Sequence, residues 1–486
     1  ATAETADMHL PLQPGSDIAL FNGLMAWLSR EGKFDDAFIA GHTTGMAQAL
    51  KTAEEWTPEK VAARCGLALE RVVEFYRLFA ETERTVTVYS QGVNQSTAGT
   101  DKVNAVINCH LATGRIGKPG MGPFSVTGQP NAMGGREVGG LANQLACHLE
   151  LDDPAHRQVA QNFWDSPVIA GSAGLKAVDL FDAVADGRIK ALWIMATNPA
   201  VSLPDADRVR DAIAQCPFVA VSDVTRDTDT VDLAHVLLPA HAWGEKDGTV
   251  TNSERRISRQ RAFLPVPDDV RADWWMVAQV AARLGHGAAF DYSGPADIFR
   301  EYAAMTAVAN QTLARDLDLG GMADLSDADY DGLTPTLWPQ RAGGGSETRF
   351  FAEGGFFTPD RMGRFLPVVD RAPASAPDEE YDLILNTGRI RDQWHTMTRT
   401  ALSPALSQHL GEPFVEISKA DAARLGLAPA SLAHVESARG DCLVRVLITN
   451  RVMPGQVFVP MHWNDHWSGR ARVDALVAPN VDPVSG

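Results

Sequence analysis

Apolar and polar positions alternate in three textures along the chain. Val61–Glu81 carries apolar residues at helical spacing and predicts a helix, and Thr85–Tyr89 is rich in strand formers. That run ends in Ser90-Gln91-Gly92-Val93-Asn94-Gln95, a polar turn where a ligand can meet a strand end. Between residues 150 and 370 the signal is α/β. Ile189–Ala196 is a short apolar run of the kind found in buried parallel strands, stopped by Asn198-Pro199. Helical spacing over Asp205–Gln215 and strands at Phe218–Ser222 and Val236–Leu238 complete a βαβ pattern. Ligands of such sheets sit beyond the carboxyl ends of the strands, here Thr197-Asn198-Pro199 and Ser222-Asp223-Val224-Thr225. Residues 335–380, with Gly343-Gly344-Gly345 and Asp378-Glu379-Glu380, read as a linker. From Tyr381 short strands (Asp382–Asn386, Ala433–Glu436, Cys442–Ile448, Gln456–Pro460) and one helix, Lys419–Leu425, predict a small β-barrel.

One stretch breaks both periods. Residues 128–140 hold five glycines in thirteen positions. Glycine loses the most backbone freedom on ordering, so this sequence predicts neither a stable helix nor a central strand. It is ordered only if something packs closely against its backbone. Its single arginine, Arg136, is a fixed cation suited to a small or phosphorylated anion.

Composition narrows the function classes. At 486 residues, with 45% apolar and 21% charged residues, the chain has room for about three globular domains. A net charge of −18 argues against a broad nucleic-acid face. The five cysteines (Cys65, Cys109, Cys147, Cys216, Cys442) are widely spaced with no Cys-x-x-Cys, which argues against a disulfide framework, a zinc site or an iron–sulfur cluster built from this chain alone. No metal ligand is predicted. No run of 18 apolar residues and no signal-peptide pattern is visible, so no membrane span is expected. Dinucleotide-fold glycine fingerprints, P-loops, zincin helices and nucleophile elbows are absent.

What remains is a set of polar loops: Gln91–Gln95, the glycine stretch, the strand ends at Asn198 and at Ser222-Asp223, Trp243–Arg256, and Asn386–Arg399. Each has a bland reading. Arg255, Arg256, Arg259 and Arg261 read as a solvated face, Thr387-Gly388-Arg389 as a plain turn, and His462 and His466 as loop or interface histidines rather than metal ligands. Lys246 between Glu245 and Asp247 suggests ordinary ion pairing. Together, arginines and small polar residues gathered at strand ends of an acidic chain point to a large polyanion with many hydrogen-bonding edges.

The run Gly92-Val-Asn-Gln, Asn108-Cys-His-Leu-Ala-Thr-Gly-Arg-Ile-Gly-Lys-Pro-Gly and Thr127-Gly-Gln-Pro-Asn-Ala-Met-Gly-Gly-Arg-Glu-Val-Gly resembles the molybdopterin oxidoreductases of the dimethyl-sulfoxide-reductase type, and among them the bacterial assimilatory nitrate reductases. The resemblance covers essentially the whole chain. It implies Rossmann-like parallel-sheet α/β domains followed by a C-terminal double-psi β-barrel, divided at 1–145, 146–372 and 373–486. It also implies one molybdenum held by two molybdopterin guanine dinucleotides, and two-electron reduction of nitrate to nitrite. Carried over by residue, the implied cofactor contacts are Gln91, Gln95, Asn198, Ser222, Asp223, Lys246, Asp273, Thr387, Gly388, Arg389, Trp394, His395 and Thr396. Arg136 matches an arginine near the metal. Formate dehydrogenases of the family lack it, which favours nitrate over formate oxidation, the alternative activity; a cofactor-free scaffold is the third reading. Family members carry upstream cysteines for a [4Fe-4S] cluster and for molybdenum, and neither is in this chain, so the isolated chain is expected to be inactive. Gln91 in place of a methionine and the short Ala132–Arg136 loop point to the cytoplasmic branch. The electron donor is expected to be ferredoxin, flavodoxin or an NADH-linked flavoprotein.

Overall fold

The computed structural model describes residues 2–313, 315–345 and 349–486. In the first region, helix α1 (Asp17–Arg30) is the hub of an apolar core. Leu24, Met25 and Leu28 of α1 meet Val61 of α2 (Pro58–Cys65) and Val72 and Tyr76 of α3 (Leu69–Glu81). The single helix predicted over Val61–Glu81 is therefore two. Gly66, in the left-handed region at φ 68°, ends α2, and Thr57 caps its start by accepting from the Lys60 N–H. A glycine C-cap followed by a new helix keeps the apolar period while turning the axis.

Strand β1 (Val86–Tyr89) pairs in parallel with β2 (Gly122–Ser125), joined through helix α4 (Gly99–Ala112). Among the described residues this sheet has two strands. Thr87 reaches back to His110 of α4 at 2.7 Å, while Val88 and Phe124 stay exposed. After β2 comes helix α5, Ala132–Glu137. The glycine stretch is thus helical for six residues, contrary to the sequence expectation.

The second region holds the predicted βαβ unit. A three-stranded parallel sheet runs β3 (Ala191–Met195), β4 (Phe218–Asp223), β5 (Val236–Pro239), with β4 central. Helices α6 (Ala177–Ala185) and α7 (Ala206–Gln215) pack on it through Val184, Val209 and Ile213 against Ile194, Val219 and Val221. An antiparallel sheet not expected from the sequence follows: β6 (Gly248–Thr251), β7 (Arg256–Gln260) and the two-residue β8 (Thr336–Leu337). Helix α8 (Asp273–Ala281) follows β7, and helix α9 (Pro295–Leu313) packs against the core of Ile257, Tyr330 and Trp338.

Arg259 corrects the solvated-face reading. Its side chain is 1% exposed, pairs with Asp247 and Asp331, and lies 4.0 Å over the Tyr330 ring. Arg255 lies over the Trp338 and Phe350 rings, 5.1 and 4.1 Å from their centroids. The expected linker is also more than a spacer: Phe365 and Val368 are buried in the cores of the first region, and Ser346, Glu347 and Thr348 lie outside the described residues.

The C-terminal region is one mixed sheet of five strands curled into a half-barrel. Its order is β9 (Ile384–Gly388), β13 (Gln456–Pro460), β10 (Phe414–Ser418), β12 (Asp441–Thr449), β11 (Leu432–Glu436). Helix α10 (Lys419–Arg424) follows β10 and is capped by Ser418. β10 was not read from sequence because two of its five buried residues, Glu416 and Ser418, are polar and break the apolar run expected of a buried strand. Arg472 ties this sheet to the second region, pairing with Asp465 and Asp207 and donating to the Ala200 carbonyl at 3.1 Å.

Candidate cofactor and substrate site

The loop after β9, Arg389–Arg399, is the hinge of the site, and buried side chains set its shape. His462, just past β13, is fully buried. Its Nδ1–H donates to the His395 carbonyl at 2.6 Å, and its Nε2 accepts from the Ile390 N–H at 2.9 Å. Burial drops its pKa to about 4, so the ring is neutral with both nitrogens engaged. It is a loop anchor, as the bland reading had it, and His466 pairs with Asp232 at 3.2 Å. Asn464 donates its amide to the Thr396 carbonyl. Held this way, His395 and Met397 sit at φ 41° and 62°, a conformation that costs non-glycine residues energy and persists only when neighbours enforce it. The result displays a stack. The Arg389 guanidinium lies 4.5 Å over the Trp394 ring, which meets His395 edge-on at 4.5 Å. Burial first, then Arg389 and Arg399, push the His395 pKa down.

Thr396 carries the loop across to the second region. Its hydroxyl accepts from Asn198 Nδ2 at 3.1 Å, and Asn198 Oδ1 accepts from the Thr230 N–H at 3.2 Å and hydroxyl at 2.6 Å. Asn198 thus locks the end of β3, the Thr230 turn and the loop together. Asp223, at the end of β4, has its carboxyl pushed up by burial, eased by the Thr225 and Val224 N–H groups and by Arg399. Lys246 pairs with Asp273 at 2.7 Å, while the other Asp273 oxygen is buried without a hydrogen-bond partner. Ser222 is different. It has no exposed surface, accepts from Trp193 Nε1 at 2.8 Å and faces Met276 Sδ, so its side chain belongs to the core rather than to a ligand-facing surface. Strand alternation points Ser222 and Asp223 to opposite faces.

The first region brings Gln91, Gly128 and Arg136. Gln91 opens a four-residue helix and accepts from Ser90. A Cβ on Gly128 would lie 3.3 Å from Arg389 Nη1 and 3.8 Å from Gln91 Nε2, so the glycine stretch passes directly against both. Gln95 is exposed at the end of the same short helix. Thr387 and Gly388 lie in β9 and lead into the loop. Arg136 is exposed on α5, close enough to Tyr89 at the end of β1 to act on that phenol, whose pKa burial raises and Ser125 and Arg136 oppose.

Close packing makes α5 possible in so glycine-rich a sequence. A Cβ on Gly134 would be 2.3 Å from Asn131 Oδ1, and one on Gly139 (φ 77°) would be 2.6 Å from the Ala146 nitrogen. Glu137, the last residue of α5, is 1% exposed and receives hydrogen bonds from Thr251, Tyr302 and Trp338. Sequence reasoning missed Glu137, Thr230 and Asn464 as anchors, since their partners are distant in the chain.

The chemistry of these residues suits a pterin dinucleotide. Asp223 and the unpartnered Asp273 oxygen can accept from the N–H edge of a base, and Arg389 can fork onto phosphate. Gly128 leaves the room beside Arg389 that a side chain would fill. No group of three His, Cys, Asp or Glu positioned for a metal occurs among the described residues, and no helix among them is long and apolar enough to cross a membrane.

Comparison with known proteins agrees with this chemistry. Residues 1–283 match the family model "Molybdopterin oxidoreductase", and residues 383–486 match "Molydopterin dinucleotide binding domain". The chain is similar to a nitrate reductase of Klebsiella oxytoca, 49% identical over 100% of this chain and 55% of that one, and to a nitrate reductase of Shewanella frigidimarina, 42% identical over 100% of this chain and 54% of that one. It spans about half the length of these relatives. In fold it is similar to acetylene hydratase from Pelobacter acetylenicus, with TM-score 0.71 and 16% identity over 99% of this chain and 68% of that one. A family model that covers more than half of the chain, relatives aligned along all of it and a donor set suited to a pterin dinucleotide agree: the chain belongs to the molybdopterin oxidoreductase family.

Proposed function

We propose that this chain forms the nucleotide-binding and substrate-facing part of an assimilatory nitrate reductase, in which two electrons and two protons convert nitrate to nitrite and water. The observation that carries the reading is the meeting of Gln91, Gly128 and Arg389 at one place, from opposite ends of the chain, next to a loop bonded to Asn198. Support for nitrate comes from the relatives called nitrate reductases, which match along the whole chain.

When bound, a molybdenum bis(molybdopterin guanine dinucleotide) supplies the oxygen-accepting metal and the electron path. Asp223, Asp273 and Lys246 would hold a guanine and its ribose-phosphate. Arg389, Trp394, His395 and Thr396 would hold the other side, with Gln91 and Gln95 near the pterin, while Thr387 and Gly388 aim the loop. Arg136 would draw nitrate in and steady the negative charge of its oxygens. A [4Fe-4S] cluster and a molybdenum-ligating cysteine would come from polypeptide outside these residues. Ferredoxin, flavodoxin or an NADH-linked flavoprotein would deliver electrons, in the cytoplasm. The working division is 1–145, 146–372 and 373–486.

The test is Arg136→Ala in the native enzyme that carries this chain. Nitrate turnover per molybdenum is expected to fall by about a hundredfold or more while molybdenum content stays the same. Unchanged nitrate turnover, or greater activity with formate than with nitrate, contradicts the reading.

A further inference from the structure

Next to Arg136 the chain buries an acid that the reaction above does not use. Glu137 Oε2 accepts from Thr251 Oγ1 at 2.8 Å and from the Tyr302 hydroxyl at 3.0 Å, and Oε1 accepts from Trp338 Nε1 at 2.7 Å. Its backbone carbonyl accepts from the Cys147 N–H at 2.7 Å. The three side-chain donors stand on β6, on α9 and just after β8, so separate elements converge on one carboxyl. Thr251 does more. Its N–H donates to Asn131 Oδ1 at 2.9 Å, just before α5, while its hydroxyl holds Glu137 at the other end. A single residue of β6 therefore grips both ends of α5.

Helix α5 needs such a grip. It has six residues, Gly134 and Gly135 lie inside it, and no side chain caps its start. Helices this short are not stable alone, and each glycine lowers stability further. Its geometry is set from outside. Successive residues on a helix point about 100° apart, so drawing Glu137 inward turns Arg136 outward. Burying a carboxyl is costly unless hydrogen bonds compensate it, and here every bond also fixes the direction of its neighbour.

We propose that Glu137 is a positioning residue. It clamps α5 to β6, α9 and the Trp338 segment, and so fixes the direction in which Arg136 presents its guanidinium to an oxyanion. The inference deepens the reading of Arg136 given above and rests on it.

Glu137→Gln and Glu137→Leu separate this from a merely space-filling role. Trp338 can only donate, but the Thr251 and Tyr302 hydroxyls can also accept, so a glutamine can satisfy all three partners and leucine none. In the native enzyme, Glu137→Leu is expected to speed amide exchange across residues 134–140 by about tenfold or more, leaving the α1 core protected. It is also expected to lower kcat/KM for nitrate by about tenfold, chiefly through KM, and Glu137→Gln to recover most of both. In an Arg136→Ala background the leucine should add little, because the two residues act as one unit. Where leucine prevents folding, Thr251→Val, which removes one donor, gives the same pattern at smaller amplitude. Unchanged exchange across α5 overturns the clamp whatever the activity. Faster exchange with unchanged kcat/KM, or an equal loss in the Arg136→Ala background, overturns the link to Arg136. A failure of Arg136→Ala itself to affect nitrate would instead sink the substrate reading and leave the exchange result standing.

Discussion

The two sides of the site are built differently. On one side, β3, β4 and β5 form a sheet with helices packed on it, and the Arg389–Arg399 loop is bonded to it through Asn198 and Thr396 and to the C-terminal sheet through His462. On the other, β1 and β2 pair alone among the described residues, with Val88 60% exposed. Two parallel strands with an open apolar face are weak by themselves. The difference shows in the polar groups. Asn198, Ser222 and Thr230 are buried and bonded within the protein, whereas Gln95 and Arg136 face outward. The side proposed to hold the nucleotide is preorganised by sheet and loop. The side proposed to face substrate depends on point anchors such as Glu137.

The contrast can be broken by several measurements. The largest stability effect should come from pH. His462 has a folded pKa near 4, below its ordinary value, so the unfolded chain binds more protons between about pH 6.5 and 4. Its contribution is full above that window and is lost as pH falls through it, by about 3 kcal/mol in all. Amide protection over 389–397, with exchange corrected for its intrinsic pH dependence, should fall from pH 7 to pH 5 by more than protection in the core of α1 to α3. Asn198→Ala should come next, at about 2 kcal/mol by urea unfolding, since it leaves the Thr230 donors and the Thr396 hydroxyl without a buried partner. Val459→Ala, in the fully buried part of β13, should cost about 2 kcal/mol, while Val88→Ala on the open face of β1 should cost less than about 0.5 kcal/mol. Equal costs for the two valines would erase the contrast.

The βαβ unit and most of the C-terminal strands were legible because half-buried strands and amphipathic helices write their periods into the sequence. β10 was not, since its buried Glu416 and Ser418 break the apolar run that a fully buried strand otherwise shows. Helix α5 was hidden because its stability resides in Thr251, Tyr302 and Trp338, far along the chain. Arg259 read as surface because a buried arginine and an exposed one look alike until Asp247, Asp331 and the Tyr330 ring are placed around it. The polar strand ends were found as a set, but only folding separates Asp223, which flanks the loop, from Ser222, which faces the core.

The central claim is that loops from distant parts of the chain enclose one bis(molybdopterin guanine dinucleotide) cofactor. It is tested most directly by the guanine nucleotide and molybdenum content of purified enzyme carrying Asp223→Ala or Arg389→Ala. The account predicts that both contents fall together in each variant, to about a tenth or less, with the fold intact by circular dichroism. Full nucleotide and metal content in both variants would contradict it.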